Sequence, residues 1–505
     1  LRMNKELNKF YSSNLENNSL DKSLFYLKLD AIFSQTMGLL ISSIFITPLL
    51  LWHKATLFHI GIFSVIVYLA SFSQLLSLKL LHKFNKPKHI CFLSSLFARL
   101  SLLSLGIILI FYMDLEPLVI LSIFLLFYVL SNISSMAFSY WMYYLVPSHI
   151  RGRFFASRMR IALIIANIIA LSLIIFLQSN YISLNIYLYE YFPLISSVIG
   201  LIGLIFLYRV KEVRSANIAN LSLRTVRKLL RIKTMKKHMK SIFLLYFAIS
   251  MVLPFYTYYL LVRLGMDMIS IVILNTLSQL LLILFVKEWG NLIDRFGVKP
   301  VLRLNAYLYI ITFLIWPFTT LPERYVLSIP LLIVIFSLIG ITTGGLNLSA
   351  NLISYKLLRN EESAYSITVN NIFISLGSLL GSIFGTILSM PLNYLELSLV
   401  FTLKLQTINH YFLIDISGLD FLFLIAAIVG FTALSQFKSY RVLDEEDEEQ
   451  KYIELIVGLR RYINNYKGLV TVLIGNGFLK LEKKVKNTSK IIANRKIRNG
   501  IRVKR

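Results

Sequence analysis

"GNLIDRFGVKP", residues 290–300, is a charged and glycine-broken stretch caught between two long apolar runs, 268–287 before it and 301–320 after it. Each run is rich in Leu, Ile, Val and aromatic residues and has the roughly 18 to 25 residues needed to cross about 30 Å of hydrocarbon. A short polar stretch between two such runs marks a chain turning back at a membrane surface.

The same alternation extends in both directions. Apolar runs at 31–51, 58–80, 90–112, 117–144, 161–178 and 192–208 precede a basic linker, 209–240, and runs at 241–262, 268–287, 301–320, 326–353, 366–390 and 417–437 follow or include those above. That makes twelve expected spans, six and six. Composition agrees: of 505 residues 57% are hydrophobic and 13% aromatic, with a mean hydropathy of +0.70, the balance of a polytopic membrane protein.

The net charge of +27 would suit a nucleic-acid binder, but the basic residues fall in alternate gaps. Lys79, Lys83, Lys86 and Lys88 follow the second span, and Arg151, Arg153, Arg158 and Arg160 follow the fourth. The linker 209–240 carries eleven basic residues against the single acid Glu212. The other gaps are nearly bare: "MDLEP" (113–117) has two acids and no base, and 179–191 has no Lys or Arg. The positive-inside rule therefore places both termini and the basic gaps in the cytoplasm of a multi-pass cell-membrane protein, facing anionic headgroups and not nucleic acid.

Cys91, the only cysteine, excludes an internal disulfide framework and a cysteine-based metal site. Residues 1–30 lack the apolar core and cleavage site of a signal peptide, so the first span is expected to remain in the mature protein. Seven scattered histidines, no metal-spaced His/Glu pair, no Walker loop and no serine elbow leave an enzyme without visible equipment, and no cofactor or metal is expected.

The halves read as repeats at a shift of about 212 residues, which lays "HKFNK" (82–86) over "DRFGV" (294–298). The loops "RGRFFASR" (151–158) and "NEESAYSI" (360–367) join the same pair of spans in each half. Twelve spans in two repeats, a basic central loop and Gly-x-x-x-Asp-Arg-x-Gly-x-Lys after the eighth span resemble the major facilitator superfamily over residues 25–440. The resemblance implies an all-α polytopic membrane protein of 12 transmembrane helices in two six-helix pseudo-repeats, 31–208 and 241–437. It also implies secondary active or facilitative transport of a small organic solute by alternating access, with the site between the halves.

By the same resemblance the opening stretch is a gate latch. Gly290 permits close packing against a neighbouring span, Asp294 meets the N-terminal end of span eleven near Ser363 and Tyr365, Arg295 pairs locally, Gly297 turns the chain and Lys299 completes the motif. In the first half Leu78, His82, Lys83 and Asn85 stand at the places of Gly290, Asp294, Arg295 and Gly297, without a carboxylate. Arg151, Gly152 and Arg153, in "VPSHIRGRFFASR" (146–158), are the gate residues of the fourth-to-fifth connection, while Arg158 and Arg160 read equally as positive-inside anchors.

Cavity-lining spans in this family are the first, fourth, seventh and tenth. Gln35, Asn132, Ser135, Tyr256, Tyr259, Thr343 and Asn347 lie on them, and Asn275 lies on the eighth. Singly, each reads as an interhelical hydrogen bond; together they suggest a neutral or amphipathic organic substrate held by amides, hydroxyls and ring faces. Arg99, in mid-span, is either an anion contact or paired with carbonyls and amides of its own half. Asp30 is expected at the inner mouth of span one, leaving no midplane carboxylate for proton coupling. An exporter of lipophilic or drug-like compounds is the alternative, and a non-transporting scaffold or sensor the alternative of another class.

Two stretches with strand alternation, 182–191 and 395–406, suggest a small β element joining the outer loops after spans five and eleven. After 438 the chain passes through "DEEDEE" (444–449) into a helical pattern at 452–463 and a Gly-Asn-Gly hairpin pattern at 469–485. This cytoplasmic α+β appendage, 438–505, is expected to dock on the inner face or on anionic lipid, and the protein to be a monomer.

Overall fold

The computed structural model describes residues 2–112, 115–180, 188–212, 231–320, 328–356, 362–405, 408–440 and 451–456. Among the described residues, twelve helical spans are long and apolar enough to cross a membrane. They are span 1 (Leu20–Trp52), span 2 (Leu57–Phe84), span 3 (Pro87–Phe111), span 4 (Pro117–Leu145), span 5 (Phe154–Phe176), span 6 (Tyr191–Tyr208), span 7 (Lys233–Arg263), span 8 (Met268–Phe296), span 9 (Val298–Thr320), span 10 (Ser328–Ile353), span 11 (Val369–Leu392) and span 12 (Leu419–Phe437). An even number of crossings puts the start of span 1 and the end of span 12 on one face, called here the near face.

The repeat is visible in the helix breaks. Span 1 is interrupted at Ile41 and Ser42, span 7 at Leu253 and Pro254, and 253 − 41 = 254 − 42 = 212, the shift read from the sequence. The turns after spans 2 and 8 correspond in position. Gly297 and Asn85, at its place in the first half, both have positive φ but differ in ψ: Asn85 lies in the αL region at φ +49°, ψ +30°, which Asn tolerates, whereas Gly297 at φ +94°, ψ +164° lies where only Gly goes readily.

Within the second half, spans 7 and 11 meet backbone to backbone. A Cβ on Gly377, Gly381 or Gly385 would stand 2.5, 2.2 or 2.1 Å from the carbonyl oxygens of Phe243, Phe247 and Met251, so this Gly-x-x-x-Gly-x-x-x-Gly face is what allows the contact. Across the halves, span 2 packs on span 11 and span 5 on span 8. These contacts gather away from the near face: Gly61, near the start of span 2, leaves only 2.1 Å for a Cβ beside Thr386 Oγ1. Toward the near face the near part of span 2, Gln74–Phe84, packs on spans 3 and 4 of its own half. There Ser135 and Ser139 of span 4 and Asn347 and Asn351 of span 10 are exposed. The halves thus meet at the far face and part toward the near one.

The expected β element exists but is built differently. β1 (Glu396–Leu405) and β2 (Ile408–Ser417) form an antiparallel hairpin within the single loop between spans 11 and 12. Cross-strand pairing is satisfied locally, so a partner strand from the loop after span 5 is not needed; residues 182–187 of that loop lie outside the described residues. Of the tail, 451–456 is helical, with Leu455 buried in the core of the second half and Tyr452 packed against it. The expected strands at 469–485 lie outside the described residues.

Candidate functional site

Where the broken spans 1 and 7 face each other they leave a cavity of about 230 Å³, under the roughly 300 Å³ at which ligand pockets usually begin. Ser42 and Ser43 flank the break of span 1, and Tyr256 and Thr257 follow the break of span 7; Asn275, Ser278 and Gln279 enter from span 8 and Phe336 from span 10. Broken helices at the interface of two repeats place unwound backbone and small polar groups beside a site. Tyr256 is fixed by stacking, its ring 4.4 Å from Trp316 at 13° and 5.8 Å from Phe423 at 14°.

Of the expected substrate residues, Tyr256 and Asn275 stand on this wall. Tyr259 is fully buried behind it, donating its hydroxyl to Asp420 Oδ1 at 2.7 Å. Asn132 accepts from Gln74 Nε2 at 3.1 Å and donates to the Tyr128 carbonyl, tying span 4 to span 2. Thr343 donates to the Ile339 carbonyl of its own helix. Asn347 accepts from Tyr246 at 3.4 Å on the side open to the near face, where Ser135 is also exposed, and Gln35 is half-buried on span 1.

Arg99 is turned into its own half. Its guanidinium donates to Ser34 Oγ at 3.1 Å and the Ser95 carbonyl at 3.2 Å, and Ser34 in turn donates to Asp30 at 3.1 Å. Asp30 is not at a mouth: only 3% exposed, it pairs with Arg158 at 3.2 Å. Arg158 also donates to the Leu27 carbonyl and lies over the Phe138 ring. The hydropathy reading started spans 1 and 5 too late because the near ends of both carry charges, Asp21, Lys22, Lys28 and Asp30 in span 1 and Arg158 and Arg160 in span 5, and two of these, Asp30 and Arg158, are each other's partners. Arg158 is therefore an internal tie and not a headgroup anchor.

The residues expected to form a latch make no such contact among the described residues. Asp294 and Arg295 are exposed; among the described residues neither has a polar partner, and Arg295 rests over the Phe296 ring at 5.1 Å. Gly290 reaches no closer than Leu348 of span 10, 4.0 Å from a would-be Cβ. The side chains of Ser363, Tyr365, Arg151, Gly152 and Arg153 lie outside the described residues. Lys299 is differently placed: it is 1% exposed, donates to the Tyr440 carbonyl just beyond span 12 and lies 4.7 Å from the Tyr440 ring. The Tyr440 hydroxyl meets His238 Nδ1 of span 7 at 2.8 Å, His238 Nε2 meets Asn370 of span 11 at 3.1 Å, and Asn370 donates to the Ala350 carbonyl of span 10.

Sequence reasoning passed over His238 and Asn167. Asn167 sits on span 5, donates to Gln279 Oε1 at 2.9 Å and accepts from Thr276 at 3.1 Å, both on span 8. Its signal was there: it is the one amide in the apolar run 161–176.

The model of the Major Facilitator Superfamily matches residues 154–382 and 239–479, and the chain belongs to this superfamily of membrane transporters. No curated protein matches the chain in sequence. Solved structures share the fold. A point mutant of the nucleoside transporter NupG superposes with TM-score 0.65 at 15% identity, covering 83% of this chain and 99% of its own. The xylose transporter XylE from E. coli, in an inward open conformation, gives 0.57 at 13%, covering 86% and 98%. A bacterial homologue of the iron transporter ferroportin, inward-facing, gives 0.56 at 13%, covering 84% and 98%.

Proposed function

We propose that this protein moves a small uncharged organic solute across the membrane by alternating access. The observation that carries the reading is the cavity between the halves, which meet toward the far face; its wall offers hydroxyls, amides and a fixed tyrosine ring but no charged side chain among the described residues. The near face is the cytoplasmic one by the charge bias of the gaps, so this conformer is open inward, and Asp294 and Arg295 engage when it closes. Basic loops on that face rest on anionic headgroups, and the protein works as a monomer without nucleic acid.

Half of the fourteen wall residues (Leu39, Ile44, Leu253, Leu260, Ile271, Phe336 and Ile339) are apolar, which supports a second reading, export of lipophilic compounds. A scaffold has no use for a cavity flanked by matched helix breaks. Thermal stabilisation of the detergent-solubilised protein by sugars, nucleosides, amino acids, organic anions and cationic dyes separates the readings. Neutral polar solutes are expected to raise the melting temperature, and Tyr256→Ala to abolish the rise. Stabilisation only by lipophilic dyes selects the export reading, and stabilisation only by organic anions overturns the uncharged-solute reading.

A further inference from the structure

We infer that Asn167, Thr276 and Gln279 form a lock that ties the two halves together at the inner edge of the cavity and so holds the conformer closed at the far face; the inference rests on the alternating-access reading above. Asn167 is buried, 4% exposed, in a span otherwise apolar at that depth. Its amide is fully committed. Nδ2 donates to the Leu163 carbonyl of its own helix at 2.8 Å, which fixes the side chain, and to Gln279 Oε1 at 2.9 Å; Oδ1 accepts from Thr276 Oγ1 at 3.1 Å. Two of these three bonds cross from one half to the other, in the part of spans 5 and 8 where the halves meet.

The placement of Gln279 gives the lock its purpose. It is a wall residue of the cavity, while its carbonyl oxygen is held by Asn167 across the interface. Ile271 and Asn275 of the same wall lie nearer the far end of span 8 than Gln279 does, so the lock ties the two halves together at the inner edge of the cavity, on the near side of the contacts that close the far face. When the halves rock and the far face opens, spans 5 and 8 separate there and both cross-half bonds are lost, whereas the bond to Leu163 is kept. Asn167 and Thr276 are thus positioning residues for the inward-open state, and their bonds enter the conformational equilibrium directly.

The test measures distances between paired spin labels in the full chain with Cys91→Ser. Far-side labels go at Leu118→Cys and Ile329→Cys, exposed at the starts of spans 4 and 10. Near-side labels go at Ser139→Cys and Asn351→Cys, exposed toward the ends of the same spans. Asn167→Leu is expected to add a longer far-side distance and a shorter near-side one. The ratio of outward to inward forms should rise roughly eightfold, equivalent to two interhelical hydrogen bonds of about 0.6 kcal/mol each. Thr276→Val, which removes one bond and keeps the shape, should give about threefold in the same direction, and it serves if Asn167→Leu does not fold. Unchanged far-side distances, or broadening on both sides without the reciprocal shift, overturn the lock. Neither result touches the solute panel, whose failure would instead overturn the transport reading and leave the distances standing.

Discussion

Asp30, Arg158 and Arg99 place one negative and two positive charges inside the first half, bridged by Ser34. Desolvation makes such a group tolerable only while each charge keeps its partner, and removing one partner of a buried pair costs about 3 to 5 kcal/mol. Asp30→Asn is expected to fall near the lower end of that range, because the Arg158 side chain keeps 19% exposure. The loss should appear as a lowered melting temperature in mild detergent, with much of it recovered in the double variant Asp30→Asn, Arg158→Met. A single variant that melts like the native protein would mean that the pair does not hold spans 1 and 5 together. The cluster also shows what a hydropathy reading passes over: each charge looks like a span boundary when read alone, and only the pairing, 128 residues apart, makes both residues interior.

At the scale of elements, the end of span 12 is bound into the second half by a buried relay through Tyr440, His238 and Asn370, with Lys299 on the Tyr440 carbonyl and Lys237 on that of Ser439 at 2.6 Å. Tyr440→Phe removes only the hydroxyl and leaves His238 short of a partner, so a loss of about 1 to 3 kcal/mol is expected. Ending the chain after Gln436 goes further, since it also removes Phe437 and the carbonyl that accepts from the buried Lys299. That truncation should lower expression and melting temperature sharply, while one ending after residue 440 keeps the relay and should lose less, namely the burial of Leu455 in the core and the contact of Tyr452 with Arg303, whose guanidinium lies 4.5 Å from that ring. Equal melting of the two truncations would show that the relay stabilises nothing. In the sequence Lys299 reads as part of the latch because its spacing fits; the structure gives it a different neighbour because the turn at Gly297 directs the first turn of span 9 under the end of span 12. The first strand of the hairpin was legible by alternation, and its partner β2 was not, because period two fixes faces and leaves partners open.

For the whole molecule, two six-span halves with matched breaks are, on the alternating-access reading, two bodies whose facing direction sets what the cavity exchanges. Everything functional here depends on which face is cytoplasmic, and that assignment rests on eleven basic residues in 209–240 and on the bare gaps opposite. Twelve spans fix the termini on one side of the membrane without saying which. Exposed positions on the two faces decide it: Tyr394, 86% exposed between span 11 and β1, and Lys438, exposed just after span 12. With the native Cys91 buried and slow to react, a membrane-impermeant maleimide applied to intact cells is expected to label Tyr394→Cys and to reach Lys438→Cys only after permeabilisation. The reverse pattern would turn the molecule over. The open crevice would then face outward, the Asn167 lock would close the cytoplasmic side, and the latch at Asp294 would become an external gate. The rocking geometry would survive that inversion intact, because the contacts between the halves know nothing of the membrane's two sides.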